Sequence, residues 1–175
     1  MPLEVEKVVC YVLQDEHLLV FTHDTFPLTT TGVQVPAGNI EGGETPEQAA
    51  ERELLEETGR RGQVVRSLGV ERYDLRPKRN EMAVRHFFTM TIEPADRSER
   101  WRARESFPSH GEQEVGWTCW WLPLEDAHVL TAGLGARLGT ATQDHGSALP
   151  GGDRATEWAA ARAPYPGLSE CDHVS

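Results

Sequence analysis

The run GNIEGGETPEQAAERELLEETG, from Gly38 to Gly59, constrains this chain more than any other stretch, because it demands a glycine-rich loop followed at once by a capped helix. Thr45 is a good N-cap, Pro46 suits the first helical position, and Gln48 completes a capping box. Ala49, Ala50 and Leu54 are strong helix formers, while Gly59 is a natural stop in the left-handed conformation. The result is a helix of about four turns. At roughly 100° per residue, Glu53, Glu56 and Glu57 project together, and Ala50 and Leu54 fall on a more apolar side.

Three carboxylates this close repel one another by a few tenths of a kcal/mol per pair even when solvated, so a cation should compensate. Hard oxygen donors suit Mg²⁺ or Mn²⁺, and Mg²⁺ commonly takes one or two carboxylates, waters and substrate phosphate oxygens. The carboxylates are too few for a closed cage. An open coordination sphere is a catalytic arrangement, in which the ion acidifies a water and offsets charge on a leaving phosphate. Taken singly, each element has a plainer explanation: ERELLEE as a solvated acidic face, Gly38, Gly42 and Gly43 as turn residues. Their combination at this spacing favours the metal site.

The run resembles the Nudix box, G-x5-E-x7-R-E-U-x-E-E-x-G-U with U aliphatic. Gly38, Glu44, Arg52, Glu53, Leu54, Glu56, Glu57 and Gly59 fill it in register, and only the final U departs, being Arg60. The resemblance implies an α/β fold, an α/β/α sandwich with a mixed β-sheet carrying the loop-helix motif. It implies hydrolysis of the pyrophosphate in a nucleoside diphosphate linked to another moiety. By position, Glu53, Glu56 and Glu57 look like metal-binding carboxylates and the Gly38 carbonyl like a further ligand. Arg52 is similar to the family arginine that orients the glutamates, a task suited to a guanidinium fork. Glu44 reads as a brace of the loop. Glu53 or a later loop glutamate, Glu112 or the better-placed Glu114, is the candidate general base. Arg60 must lay its stem along apolar surface or sit solvated, a local adjustment that leaves the site intact.

The rest of the chain is read around this motif. VEKVVCYVLQ turns at Asp15-Glu16 into HLLVFTH, an antiparallel hairpin, and a threonine-rich loop follows. GVQVPAG returns as a short strand. QVVRSLGVERYDL and EMAVRHFFTMTIE read as two long strands joined around Pro77 to Asn80; in the second, Met82, Val84, His86, Phe88 and Met90 share a face, with His86 a satisfied core or pocket histidine. Residues 94–114 read as a long polar connection, VGWTCWWLPL as a strand and EDAHVLTAGLGARL as a second helix. The expected division is a Nudix domain over 1–138 and a Gly/Ala/Pro-rich extension over 139–175, a mobile tail or packed arm with a short helix around 153–162.

Composition narrows the function classes. A chain of 175 residues is long enough for one core and short for two. A net charge of −11 argues against non-specific nucleic-acid binding, which needs a basic surface. Cys10, Cys119 and Cys171 lack disulfide or zinc spacing, so a reducing, cytoplasmic compartment is expected. With no leader pattern and no apolar run of spanning length, neither secretion nor membrane insertion is expected. The partner is then a small-molecule nucleotide, with ADP-sugars, dinucleotides and nucleoside triphosphates all open. Phe26, Tyr73 or Trp101 could stack on its base, and a homodimer is compatible. A catalytically silent nucleotide-sensing module, or an interaction protein whose tail recruits a partner, is the alternative.

Overall fold

A computed structural model describes residues 1–104 and 116–143 of the chain. Seven strands form a mixed sheet: β1 Leu3–Gln14, β2 His17–His23, β3 Ala37–Asn39, β4 Gly62–Asp74, β5 Glu81–Ile92, β6 Arg100–Arg104 and β7 Gly116–Pro123. Their order is β4-β5-β1-β2-β7-β6. β1 lies parallel to β5 along one edge, and its other edge is shared by β3 at Lys7–Val9 and β2 at Leu13–Gln14. The remaining pairs are antiparallel. The β1–β2 hairpin turns at Asp15 and Glu16 with positive φ at both, as its two-residue loop requires.

β1 is apolar on both faces because the sheet is covered on both. Val8, Cys10 and Val12 face a core shared with Leu19, Phe21 and Phe88. Above that core lies the helix α2, Pro46–Thr58, which contributes Ala49, Ala50 and Leu54, all fully buried. Val9 and Tyr11 face the opposite way, into a second core with Phe87, Leu68 and Val20 that is closed by Leu134 and Ala141. The hydroxyl of Tyr11 donates to the Leu134 carbonyl at 2.6 Å and accepts from the Arg137 amide at 3.3 Å, pinning this outer layer to the central strand.

The loop-helix expectation holds in detail. Thr45 Oγ1 accepts from the Gln48 amide while the Gln48 side chain accepts from the Thr45 amide, and Gly59 closes the helix at φ 70°. Three other expectations are corrected. The threonine-rich loop contains a short helix, α1 Leu28–Thr31. The polar connection contains β6, whose residues Trp101 and Ala103 turn toward the core while its arginines alternate outward. EDAHVLTAGLGARL is not one helix: a 3-10 turn over Leu124–Val129 ends where Leu130 bridges to Val33, and Ala132 and Gly133 at positive φ break the path before α3, Leu138–Gln143. The expected helix around 153–162 lies outside the described residues, and no described helix is long and apolar enough to cross a membrane.

Because the capping box satisfies amide groups on both sides of the helix start, Thr45→Ala should cost about 1 kcal/mol. The expected thermal midpoint falls by about 2–4 °C, readable by circular dichroism; an unchanged midpoint would deny the cap its role.

A carboxylate cluster beside a basic cavity

The short strand β3 positions the candidate site. It brings Gly38 against α2 so closely that a Cβ at this position would sit 1.9 Å from Glu53 Oε1, so only glycine fits beside that carboxylate. On the helix side, Arg52 collects the surrounding oxygens. Its Nε and Nη2 donate to the two Glu44 oxygens at 2.7 and 3.0 Å, and Nη2 also reaches the Asn39 carbonyl at 2.8 Å. Its Nη1 donates to Glu53 Oε1 at 2.8 Å and Glu56 Oε2 at 3.0 Å. Glu44 in turn accepts from the Glu41 amide, which braces the loop as expected. Glu57 Oε2 is held by the Ala37 amide at 2.9 Å.

This cluster is electrostatically unfinished. Burial, with further pressure from Glu56 and Glu44, raises the Glu53 carboxyl above its ordinary 4.5 despite the opposing pull of Arg52. Glu44 is held low, chiefly by its hydrogen bonds from Arg52, and the guanidinium itself is stabilised in its charged form. One cation therefore serves three carboxylates, with Glu57 close by. Among the described residues, no three acidic, imidazole or thiol groups converge as a ready cation cage. The donor set still fits a hard divalent ion in an open sphere. Arg52 engages only one oxygen each of Glu53 and Glu56, and the second oxygen of each has no hydrogen-bond partner among the described residues.

Across β3 from these acids lies a cavity of about 340 Å³ that Gly38 and Ala37 help to line. Lys7, Lys78, Arg79 and Arg85 surround it, with no carboxylate among its described lining residues. Arg85 is 6% exposed, stacks over Tyr73 at 4.2 Å from the ring centroid and donates from Nη1 to the Ala132 carbonyl at 2.6 Å. Burial works against its charge, and burial with Arg79 and Arg85 nearby lowers Lys7. Sequence reasoning did not single out these four residues. The basic run Pro77-Lys78-Arg79 in so acidic a chain was the available signal.

Other singled-out residues find definite places. Arg60 is neither aliphatic nor simply solvated: it stacks over Trp101 at 4.6 Å and pairs with both Glu99 oxygens at 2.7 Å. Trp101 is tied to the Thr58 carbonyl, so it and Tyr73 are occupied by arginines, whereas Phe26 is half exposed with its edge toward His23. His86 pairs with Glu6 at 2.6 Å. Cys10 and Cys119 are buried free thiols, pushed up by burial, Cys119 to about 12, which makes them poor nucleophiles. Glu112, Glu114 and Cys171 lie outside the described residues.

A family model for the NUDIX domain matches residues 4–143. Among solved structures, the chain resembles a NUDIX hydrolase from Nitrosomonas europaea at 18% identity and a TM-score of 0.58, covering 82% of this chain and 90% of that one. It resembles a MutT protein from Methanosarcina mazei at 17% identity and 0.58, covering 82% and 96%. An ADP-ribose pyrophosphatase from Streptococcus suis matches at 14% identity and 0.52, covering 85% and 96%. No curated protein matches the chain.

Two outcomes follow from the cluster. The raised Glu53 carboxyl means that the folded state takes up a proton more readily than the unfolded one, so this group's contribution falls as pH rises through the window above 4.5. In chelator, the melting temperature of Glu53→Gln relative to the parent should therefore rise as pH increases above about 4.5; a flat difference would contradict the burial argument. Gly38→Ala should displace the Glu53 carboxylate and weaken Mn²⁺ binding in calorimetry, and unaltered affinity would separate Gly38 from the cluster.

Proposed function

The chain belongs to the Nudix family, and from that premise we propose that it is a Mg²⁺- or Mn²⁺-dependent pyrophosphohydrolase acting on a nucleoside diphosphate linked to another moiety. The observation that carries the proposal is the excess of carboxylate over cation around Arg52, at an edge shared with a basic cavity. Structural neighbours include an ADP-ribose pyrophosphatase and a UDP-X diphosphatase, which supports a small nucleotide substrate.

In this reading Glu53, Glu56, Glu57 and the Gly38 carbonyl hold the metal. A bound divalent ion would acidify the attacking water and offset charge on the departing phosphate. Arg52 is a positioning residue: its fork fixes Glu53 and Glu56 relative to the loop through one oxygen of each. The Ala37 amide does the same for Glu57. Glu53 is the candidate base among the described residues, as a carboxylate at the centre of the cluster that can accept the proton of the attacking water. Glu114 is the second candidate for that role. Hydrolysis then breaks one P–O bond of the bridge as water adds to phosphorus, and the water proton passes to the base.

Glu57→Gln and Glu56→Gln should each lower kcat with Mg²⁺ by at least the roughly 10–100-fold typical of lost metal-site partners, while the circular dichroism spectrum is retained. Product masses from a panel of nucleoside diphosphate derivatives identify the bond cleaved. Parent-like rates in both variants would refute the ligand roles, and nucleotide binding without any product would favour the silent sensing module.

A further inference from the structure

We infer that the substrate carries a phosphate monoester in addition to its pyrophosphate, and that the cavity beside β3 receives it on Lys7, Lys78, Arg79 and Arg85. The inference rests on the hydrolase reading above and specifies its substrate class. A pocket meant for a bare nucleobase should offer an aromatic face and balanced donors and acceptors. None of the described lining residues is aromatic or acidic.

Arg85 is the strongest single indicator. It is a buried cation with no carboxylate partner among the described residues, and only one of its five N–H groups has a protein acceptor there. A buried charge without a counterion is costly, and a phosphate oxygen entering the cavity would supply both the charge and the acceptors. Arg79 is only loosely engaged, its one ion pair among the described residues being with Glu81 at 4.0 Å. Thr31 also lines the cavity, and its hydroxyl oxygen is buried without a hydrogen-bond partner among the described residues.

Position supports the same conclusion. Gly38 lines the cavity on one side and abuts the Glu53 carboxylate on the other, so the cavity and the acidic cluster are immediate neighbours. The substrate's bridge would lie toward the acids and its second anionic group among the bases. A volume of about 340 Å³ lies within the ordinary range of small-molecule sites.

The test uses matched pairs differing by one phosphate: ADP-ribose against its 2′-phosphate, and dephospho-coenzyme A against coenzyme A. Binding to the full chain is measured by calorimetry in chelator, and turnover separately with Mg²⁺. At least one phosphorylated member should bind tenfold or more tightly than its partner, about 1.4 kcal/mol. The Lys78→Gln/Arg79→Gln variant, changed at two exposed positions, should reduce that preference below threefold, and Arg85→Gln should do so as well. Equal affinities within both pairs, no binding of any member, or a preference untouched by the double variant would overturn the inference, even if pyrophosphate cleavage persists. Conversely, a phosphate preference with no turnover on any substrate would leave the cavity assignment standing and overturn the hydrolase reading.

Discussion

The fork of Arg52 is the contact on which the rest of the site depends. The strand β3 contributes the Asn39 carbonyl, the loop after it Glu44, and the helix Glu53 and Glu56, and one guanidinium binds all four. A lysine, with a single point of charge, could not hold three carboxylates and a carbonyl in fixed relative directions. The fork adds to the β1 pairing of β3 and the Ala37–Glu57 contact in folding the loop back onto an acidic helix face. The same arrangement explains why Glu53 can be buried at all, since its cost of desolvation is partly offset by the nearest N–H donor.

β3 separates two regions of opposite charge. On one side the acids crowd together, and on the other the bases do. The strand is only three residues long, but it is held at both edges: its backbone pairs with β1, and the Ala37 amide holds Glu57. Such a division places a carboxylate-rich surface and a basic chamber within one strand's width of each other. It also keeps the cavity arginines from quenching the carboxylates directly.

Helix α2 was legible in the sequence because its start and stop are written in local chemistry, at Thr45, Gln48 and Gly59. The β1–β2 hairpin and the long β4–β5 pair were equally legible from period-two patterning. β6 was not, because Arg100, Arg102 and Arg104 dominate its composition and its partner β7 follows only after an intervening polar segment. The expected second helix failed for a tertiary reason: Leu130 is recruited to Val33, and the turn at Ala132 and Gly133 packs over Tyr73. Within the site, the acids lie on one helix and could be read from its pitch. The cavity bases come from β1, the β4–β5 turn and β5, and only the parallel pairing of β1 with β5 brings them together.

The tie from Tyr11 to Leu134 gives the two halves of the site different histories during synthesis. Every side chain of the acidic centre on the helix has left the ribosome by Glu57, whereas Thr131, Ala132 and Leu134 of the cavity wall are among the last described residues to emerge. A nascent chain therefore carries the helix acids before the chamber opposite them has its final side, which is complete only once the closing segment anchors on β1.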